Sequence, residues 1–152
     1  MRKATILSTI ILLVSLALGC RRSNAVPPVV RAAFETKFPA TTRPGWRADT
    51  AGIWRAYFIQ MGREVSANFD SIGAWLKTET ELIGGTDLPQ PLQAALRKKY
   101  PSYVFKKSNR IESLAMGTIY WVRIQNGPEQ VELFLTPEGN FASNKKSAAE
   151  IN

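Results

Sequence analysis

Two glutamates at alternating places, Glu79 and Glu81 in "KTETEL", are the pair whose type and spacing could do acid and base work. A glycosidase needs one protonated and one ionised carboxyl flanking the bond it cuts, and residues two apart on a strand point the same way. This pair is expected at the polar, solvated end of a strand, where nothing beside it in the chain would raise either pKa, so it carries no catalysis. The sequence contains no histidine, which removes the commonest general base and the commonest metal ligand. With Cys20 as the only thiol, Ser-His-Asp and Cys-His catalysis are closed, as are zinc sites built from His and Cys. Gly84-Gly85 lacks the GK[ST] of a phosphate-binding loop and reads as a linker turn. Asp70 opens "DSIG", and Asp at the first place with Gly at the fourth is type I turn chemistry rather than a metal ligand. No enzyme activity, cofactor, metal or nucleic acid is expected.

What is left is a surface. In the hairpin "TIYWVRIQN" and "VELFLTPEGNF", Tyr120, Val122, Ile124, Val131 and Leu133 share one parity and make a core face, matched by Trp54, Ala56, Phe58, Val65 and Ala67 earlier in the chain. The opposite parity carries Ile119, Trp121, Arg123, Gln130, Glu132 and Phe134, and in the earlier hairpin Ile53, Arg55 and Tyr57. Trp, Tyr and Arg are the types on which binding energy concentrates, because they combine a large contact area with a polar handle. Trp121, Arg123, Phe134, Glu132, Ile119, Arg55 and Tyr57 are therefore the candidate partner-binding residues.

The elements that must position them are written twice. "VPPVVRAAFETKFP" (26–39) returns as "LPQPLQAALRKKYP" (88–101), 62 places on, with the apolar positions, the double alanine and the flanking prolines in register. Val26, Val30, Phe34 and Phe38, and then Leu88, Leu92, Leu96 and Tyr100, each form one apolar stripe on a helix. Pro39 and Pro101 stop these helices, and Asp87, three residues before Gln90, is expected as the N-cap of the second. The period then changes to two. "GIWRAYFIQ" and "VSANFDSIGAW" return 66 places on, so four residues are inserted after the second helix. Asn126-Gly127 is expected as a tight hairpin turn, and "DSIG" has its counterpart in "TPEG". Strands over 46–49 and 104–110 should precede the hairpins, and strands over 74–78 and 140–143 should follow them.

Each copy thus reads as a helix with three or four antiparallel strands, an α+β unit too small to be comfortable alone. The expected organisation is a first unit over 26–83, a linker at 84–87, a second unit over 88–143 packed with the first into one body, and a polar tail at 144–152. At the other end, Arg2 and Lys3 precede an apolar stretch that has the form of a secretory signal over 1–19. It ends in "LALGC", which resembles the lipobox at which bacterial lipoproteins are cut and lipidated. Cys20 is then the lipidated residue, a membrane anchor followed by a tether over 20–25; cleavage after Ala25 in "SNA", leaving a soluble secreted protein, is the alternative. Of 20 basic and 12 acidic residues, the signal removes Arg2 and Lys3, which leaves the mature chain at +6. That charge favours an acidic protein surface, anionic lipid or a polyanion as neighbour.

The pattern P-x-x-V/L-x-A-A-F/L-x-x-K-F/Y-P, followed by a Trp/Tyr-bearing strand and an apolar strand ending "FDSIGAWL", resembles the PepSY-like, beta-lactamase-inhibitor-like family of exported bacterial proteins. The resemblance covers nearly the whole mature chain. It implies tandem units of a helix on an antiparallel sheet, and the related inhibitors use the open sheet face to grip an enzyme. The chain departs from the secreted lactamase inhibitors in lacking their disulfides, and no peptidase domain follows it as in PepSY-bearing propeptides, so lactamase inhibition in particular is not implied. The expectation is a non-catalytic envelope lipoprotein that binds another exported protein, a protease or other hydrolase, through its sheet face. The alternative is a module for a membrane surface, polyanion or small ligand that uses the basic runs at 97–99, 106–107 and 145–146.

Overall fold

Prolines both open and close the two helices. In α1 (Pro28–Lys37) and α2 (Gln90–Lys99) a proline sits in the first turn, where its missing N–H has no intrahelical partner to lose. Both helices end just before an aromatic that precedes a proline, Phe38 or Tyr100, a position driven out of the helical region. The N–H groups of these aromatics still donate to Phe34 and Leu96 carbonyls, both at 2.8 Å. The computed structural model describes residues 25–142. The expected signal, Cys20, most of the tether and the polar tail lie outside the described residues.

The strands are β1 (Gly45–Ala48), β2 (Trp54–Gln60), β3 (Arg63–Phe69), β4 (Trp75–Leu82), β5 (Val104–Ser113), β6 (Gly117–Asn126) and β7 (Glu129–Leu135). They form one antiparallel sheet in the order β1 to β7, each strand beside its sequence neighbours. The expected α+β architecture of helices on an antiparallel sheet is therefore present, with four strands after α1 and three after α2.

The first core packs Val30, Phe34 and Phe38 of α1 on Trp54, Ala56, Phe58, Val65, Ala67 and Phe69. Phe34 meets the rings of Phe38, Trp46, Phe58 and Phe69 within 6.2 Å. The second core sets Leu88 and Leu92 against Tyr120, Val122, Ile124, Leu133 and Leu135. Both lie on the same side of the sheet, because Val65 pairs with Thr80, Thr80 with Arg110 and Arg110 with Tyr120, and cross-strand partners share a face. Between the cores the helix side is polar, with Thr78 and Ser108 buried. The halves are thus joined by the β4–β5 ladder and by Leu82 of β4, which packs into the second core, not by one merged apolar centre.

Matching contacts lock each helix to its strands. Lys37 lies 3.8 Å above the Trp75 ring, and Lys99 lies 4.2 Å above Phe141. The last glycine of each "DSIG/TPEG" turn passes under the first turn of its helix: Gly73 has φ +87 and Gly139 φ +89, and a Cβ there would come within 2.9 Å of the Val29 carbonyl oxygen or 2.7 Å of that of Pro91. Asp70 forms its turn as expected, its Oδ1 accepting from the Ile72 and Ala74 N–H groups at 3.0 and 2.8 Å.

Four local expectations are corrected. Asp87 does not cap α2; the N-cap is Pro89, without a side-chain bond. Asp87 lies in a 3-10 turn (Gly85–Asp87), where it accepts from Arg63 at 2.6 Å and from the Ile83 N–H at 2.9 Å. The Arg63 guanidinium holds its carboxyl below the usual range. Asn126 remains in its strand opposite Glu129, so Gly127 (φ +55) and Pro128 make the turn. The strand expected at 74–78 runs on to Leu82, because β5 pairs with its far edge. Of the strand expected over 140–143, the described part to residue 142 makes one Leu135–Phe141 bridge, where Phe141 turns its ring toward Tyr100, 6.1 Å away, and under Lys99.

Gly139→Ala should destabilise the fold by about 1–3 kcal/mol or more, the Cβ meeting a helix carbonyl that cannot move freely. Gly52→Ala, at a similar φ of +83 but with nothing within 4 Å, should cost less. Denaturant melts of the two variants measure the difference.

Candidate functional site

Because both helices cover one side, no helix among the described residues covers the other side of the sheet from β1 to β7. Register places there Arg47, Arg55, Tyr57, Ser66, Asn68, Lys77, Glu79, Glu81, Lys107, Asn109, Ile111, Ile119, Trp121, Arg123, Glu132 and Phe134. All seven residues singled out from the sequence lie on this face. They form two groups, on β6–β7 and on β2, separated by four strand spacings or roughly 19 Å.

The β6–β7 group is organised around Glu132, opposite Arg123, with Phe134 opposite Trp121. Arg123 donates to Glu132 Oε1 from Nε at 3.1 Å and Nη2 at 2.7 Å, and Trp121 Nε1 donates to Oε2 at 3.3 Å. The Arg123 guanidinium also stands 5.0 Å from the Trp121 ring centroid. Glu132 therefore holds both large side chains in one arrangement while they remain partly exposed. Ile119 shares the face but is buried, at 6% exposure, beside its register partner Ile111 at 2%. It forms the floor of the face rather than a contact point.

On β2, Tyr57 is exposed and Arg55 half-buried. Arg55 Nε donates to Asn68 Oδ1 at 2.9 Å, and Arg47 of β1 lies 5.6 Å from the Tyr57 ring. Between the two groups Glu79 pairs with Lys77 at 2.9 Å, and Glu81 with Lys107 at 2.9 Å. The two glutamates thus lie on the sheet face of β4, Glu79 inside the strand and Glu81 one residue from its end, and each is matched by a lysine. Among the described residues no cluster of His, Cys, Asp and Glu could hold a metal ion, and no helix is long and apolar enough to cross a membrane.

Arg47, Lys77 and Lys107 were not among the candidates. Arg47 was accessible by parity, being next to the inward Trp46. Lys77 was not: alternation puts it on the side of Trp75, yet Trp75 packs with the first core while Lys77 pairs with Asn68 on the open face. The register shift between Asn68 and Phe69 separates them, and such a bulge depends on the partner strand. Of the basic runs, Arg97–Lys99 is exposed at the end of α2, and Lys106 is exposed at the irregularity of β5 between Phe105 and Lys107.

Over residues 52–143 the chain matches the family described as "Putative beta-lactamase-inhibitor-like, PepSY-like". Its fold is that of several solved proteins. A BLIP-like protein from Bacteroides fragilis is 25% identical with a TM-score of 0.71, the match covering 80% of this chain and 87% of that one. A DUF2874 family protein from Bacteroides ovatus is 22% identical with a TM-score of 0.73, covering 80% and 87%. A protein from Bacteroides eggerthii, described as one of the "putative periplasmic proteins", is 16% identical with a TM-score of 0.71, covering 78% and 87%. No curated protein matches the chain.

Ile119→Ala should cost about 2–5 kcal/mol of stability, as large-to-small changes at buried sites do. Trp121→Ala and Phe134→Ala should cost clearly less, because their side chains are only partly covered. Urea melts of the three variants give the comparison, and a Trp121→Ala loss as large as that of Ile119→Ala would mean that the face is closed.

Proposed function

The chain belongs to the PepSY-like, beta-lactamase-inhibitor-like family, and from that premise we propose that it is a non-catalytic, exported envelope protein that grips another exported protein through its open sheet face, in the manner of an inhibitor of a protease or other hydrolase. The observation that carries this reading is the Trp121–Arg123–Glu132–Phe134 group. Trp and Arg anchors contribute most when they are held ready, since ordering a long side chain at an interface costs about 0.5–1.5 kcal/mol. Here Glu132 orders both before any partner arrives. Arg55 and Tyr57 extend the same face toward its other end, so the partner envisaged spans several strands.

The periplasmic description of the Bacteroides eggerthii protein agrees with export of this chain. The anchor is Cys20, whose diacylation would supply the two chains that stable membrane attachment requires. Cys20→Ser should leave an uncut precursor without added lipid, read by gel mobility and acyl labelling; normal processing of that variant would instead support cleavage near Ala25.

The binding test is capture of envelope proteins on the anchored protein, followed by titration with the partner obtained. Trp121→Ala should weaken that binding by about 2 kcal/mol or more, roughly thirtyfold, and the wild-type complex should survive moderate salt. Loss of binding with rising salt, unchanged by Trp121→Ala but abolished by reversing the charges at Arg97–Lys99, would assign the activity to the basic runs instead.

A further inference from the structure

One transverse row of the open face differs from the rest. Reading across the ladders at one level gives Arg47, Arg55, Asn68, Lys77 and Ser113, three cations without an acid among them. Arg47 and Arg55 are direct cross-strand partners, an arrangement of like charges that destabilises a sheet unless something negative offsets it. The charged neighbours do not fully do so. Glu79 pairs with Lys77, and Asp49 spends its Oδ1 on the Ala51 and Ile53 N–H groups, both at 2.9 Å. Arg55 has Asn68 on its Nε, and among the described residues no acid forms an ion pair with it.

All of this row but Arg47 lines a cleft of about 310 Å³, where Arg55, Asn68, Lys77 and Ser113 meet Ile53 and Leu114, and where Asp49, its Oδ1 held by the Ala51 and Ile53 N–H groups, is the one acid in the lining. The volume is at the lower end of the range for small-ligand sites, which combine apolar walls with a few convergent polar groups. Leu114, at the tip of the β5–β6 hairpin, is 79% exposed, a large apolar side chain held beside a cationic floor. The geometry points to a binding site for a carboxylate carried on a short apolar group, either the last residue of a polypeptide or a free aliphatic acid. The carboxylate takes the guanidinium of Arg55 and the Asn68–Lys77 side of the floor, and the apolar group lies against Ile53 and Leu114. The site shares Arg55 with the face proposed to grip a partner, but its lining includes none of Trp121, Arg123, Glu132 and Phe134.

The probe is the tripeptide acetyl-Gly-Gly-Leu, with its C-terminal amide and 4-methylpentanoate as comparisons, titrated into the full chain in detergent solution. Binding is followed by the NMR shifts of the Arg55 Nε–H and the Leu114 amide. The free-acid tripeptide should bind at least about tenfold more tightly than its amide, the scale of one charge-assisted hydrogen bond. Arg55→Gln should remove most of that difference, and Leu114→Ser, at an exposed position that leaves the fold intact, should weaken the acid by severalfold. Equal binding of 4-methylpentanoate would identify a free acid as the ligand, and preference for the tripeptide a chain terminus; both support the site. Equal affinity for acid and amide, or competition by inorganic phosphate as strong as by the tripeptide and indifferent to Leu114→Ser, overturns it. Trp121→Ala should leave binding of these probes unchanged while weakening partner binding, so failure of the carboxylate site and failure of the proposed partner grip are read separately.

Discussion

The structure depends on the pairing of β4 with β5. A helix on three or four strands buries too little apolar surface for comfort, and each half alone would end in an unpaired strand, which is a template for aggregation. The ladder from Lys77–Ser113 to Leu82–Ser108 removes both inner edges at once. It does so although the seam is polar: Thr78 and Ser108 are buried there on the helix side, so backbone hydrogen bonds rather than a shared apolar centre make the connection. Leu82, carried by the last strand of the first half into the second core, adds an apolar tie across it.

The same ladder sets the character of the open face. Its register brings both cores to one side, so both helices must stand there, and the other side becomes a continuous surface. On that surface the inner strands are crowded by their neighbours. Ile111 and Ile119 are consequently closed off, while long side chains are steadied by partners: Lys77 by Glu79, Lys107 by Glu81, Arg123 by Glu132. Surface ion pairs of this kind contribute little to stability. Their effect here is positional, since they fix where aromatic and cationic groups stand, and a face with fixed anchors loses less freedom when something docks on it.

The two halves solve the packing problem with different side chains. Phe34, Phe58 and Phe69 of the first core stand where Leu96, Ile124 and Leu135 stand in the second. The contacts that lock helix to sheet are nevertheless the same, a lysine over an aromatic ring and a glycine under the first helical turn. Backbone geometry leaves no alternative to glycine where a left-handed residue touches a carbonyl, whereas an apolar core accepts any set of side chains that fills it.

Much of this was legible in the sequence because it follows from rules that act within a few residues. Proline starts and stops both helices, period-2 alternation assigns Trp121, Arg123, Glu132 and Phe134 to the side opposite Tyr120 and Leu133, Asp70 builds its turn, and the absence of histidine closes whole classes of catalysis. The remainder was decided by residues far apart in the chain. Asp87, with the local spacing of a helix cap, is drawn instead to Arg63, and Lys77 leaves the side of Trp75 because β4 carries one extra residue, Leu76, against Asn68 and Phe69 of β3. Ile119 has the parity of an exposed residue but is buried beside Ile111 of β5, and Arg55 gains its cationic neighbours only when β1, β2 and β4 align. Parity is a property of one strand and can be read from it; burial, charge clustering and the shape of a cleft belong to the sheet, and exist only once its register is set.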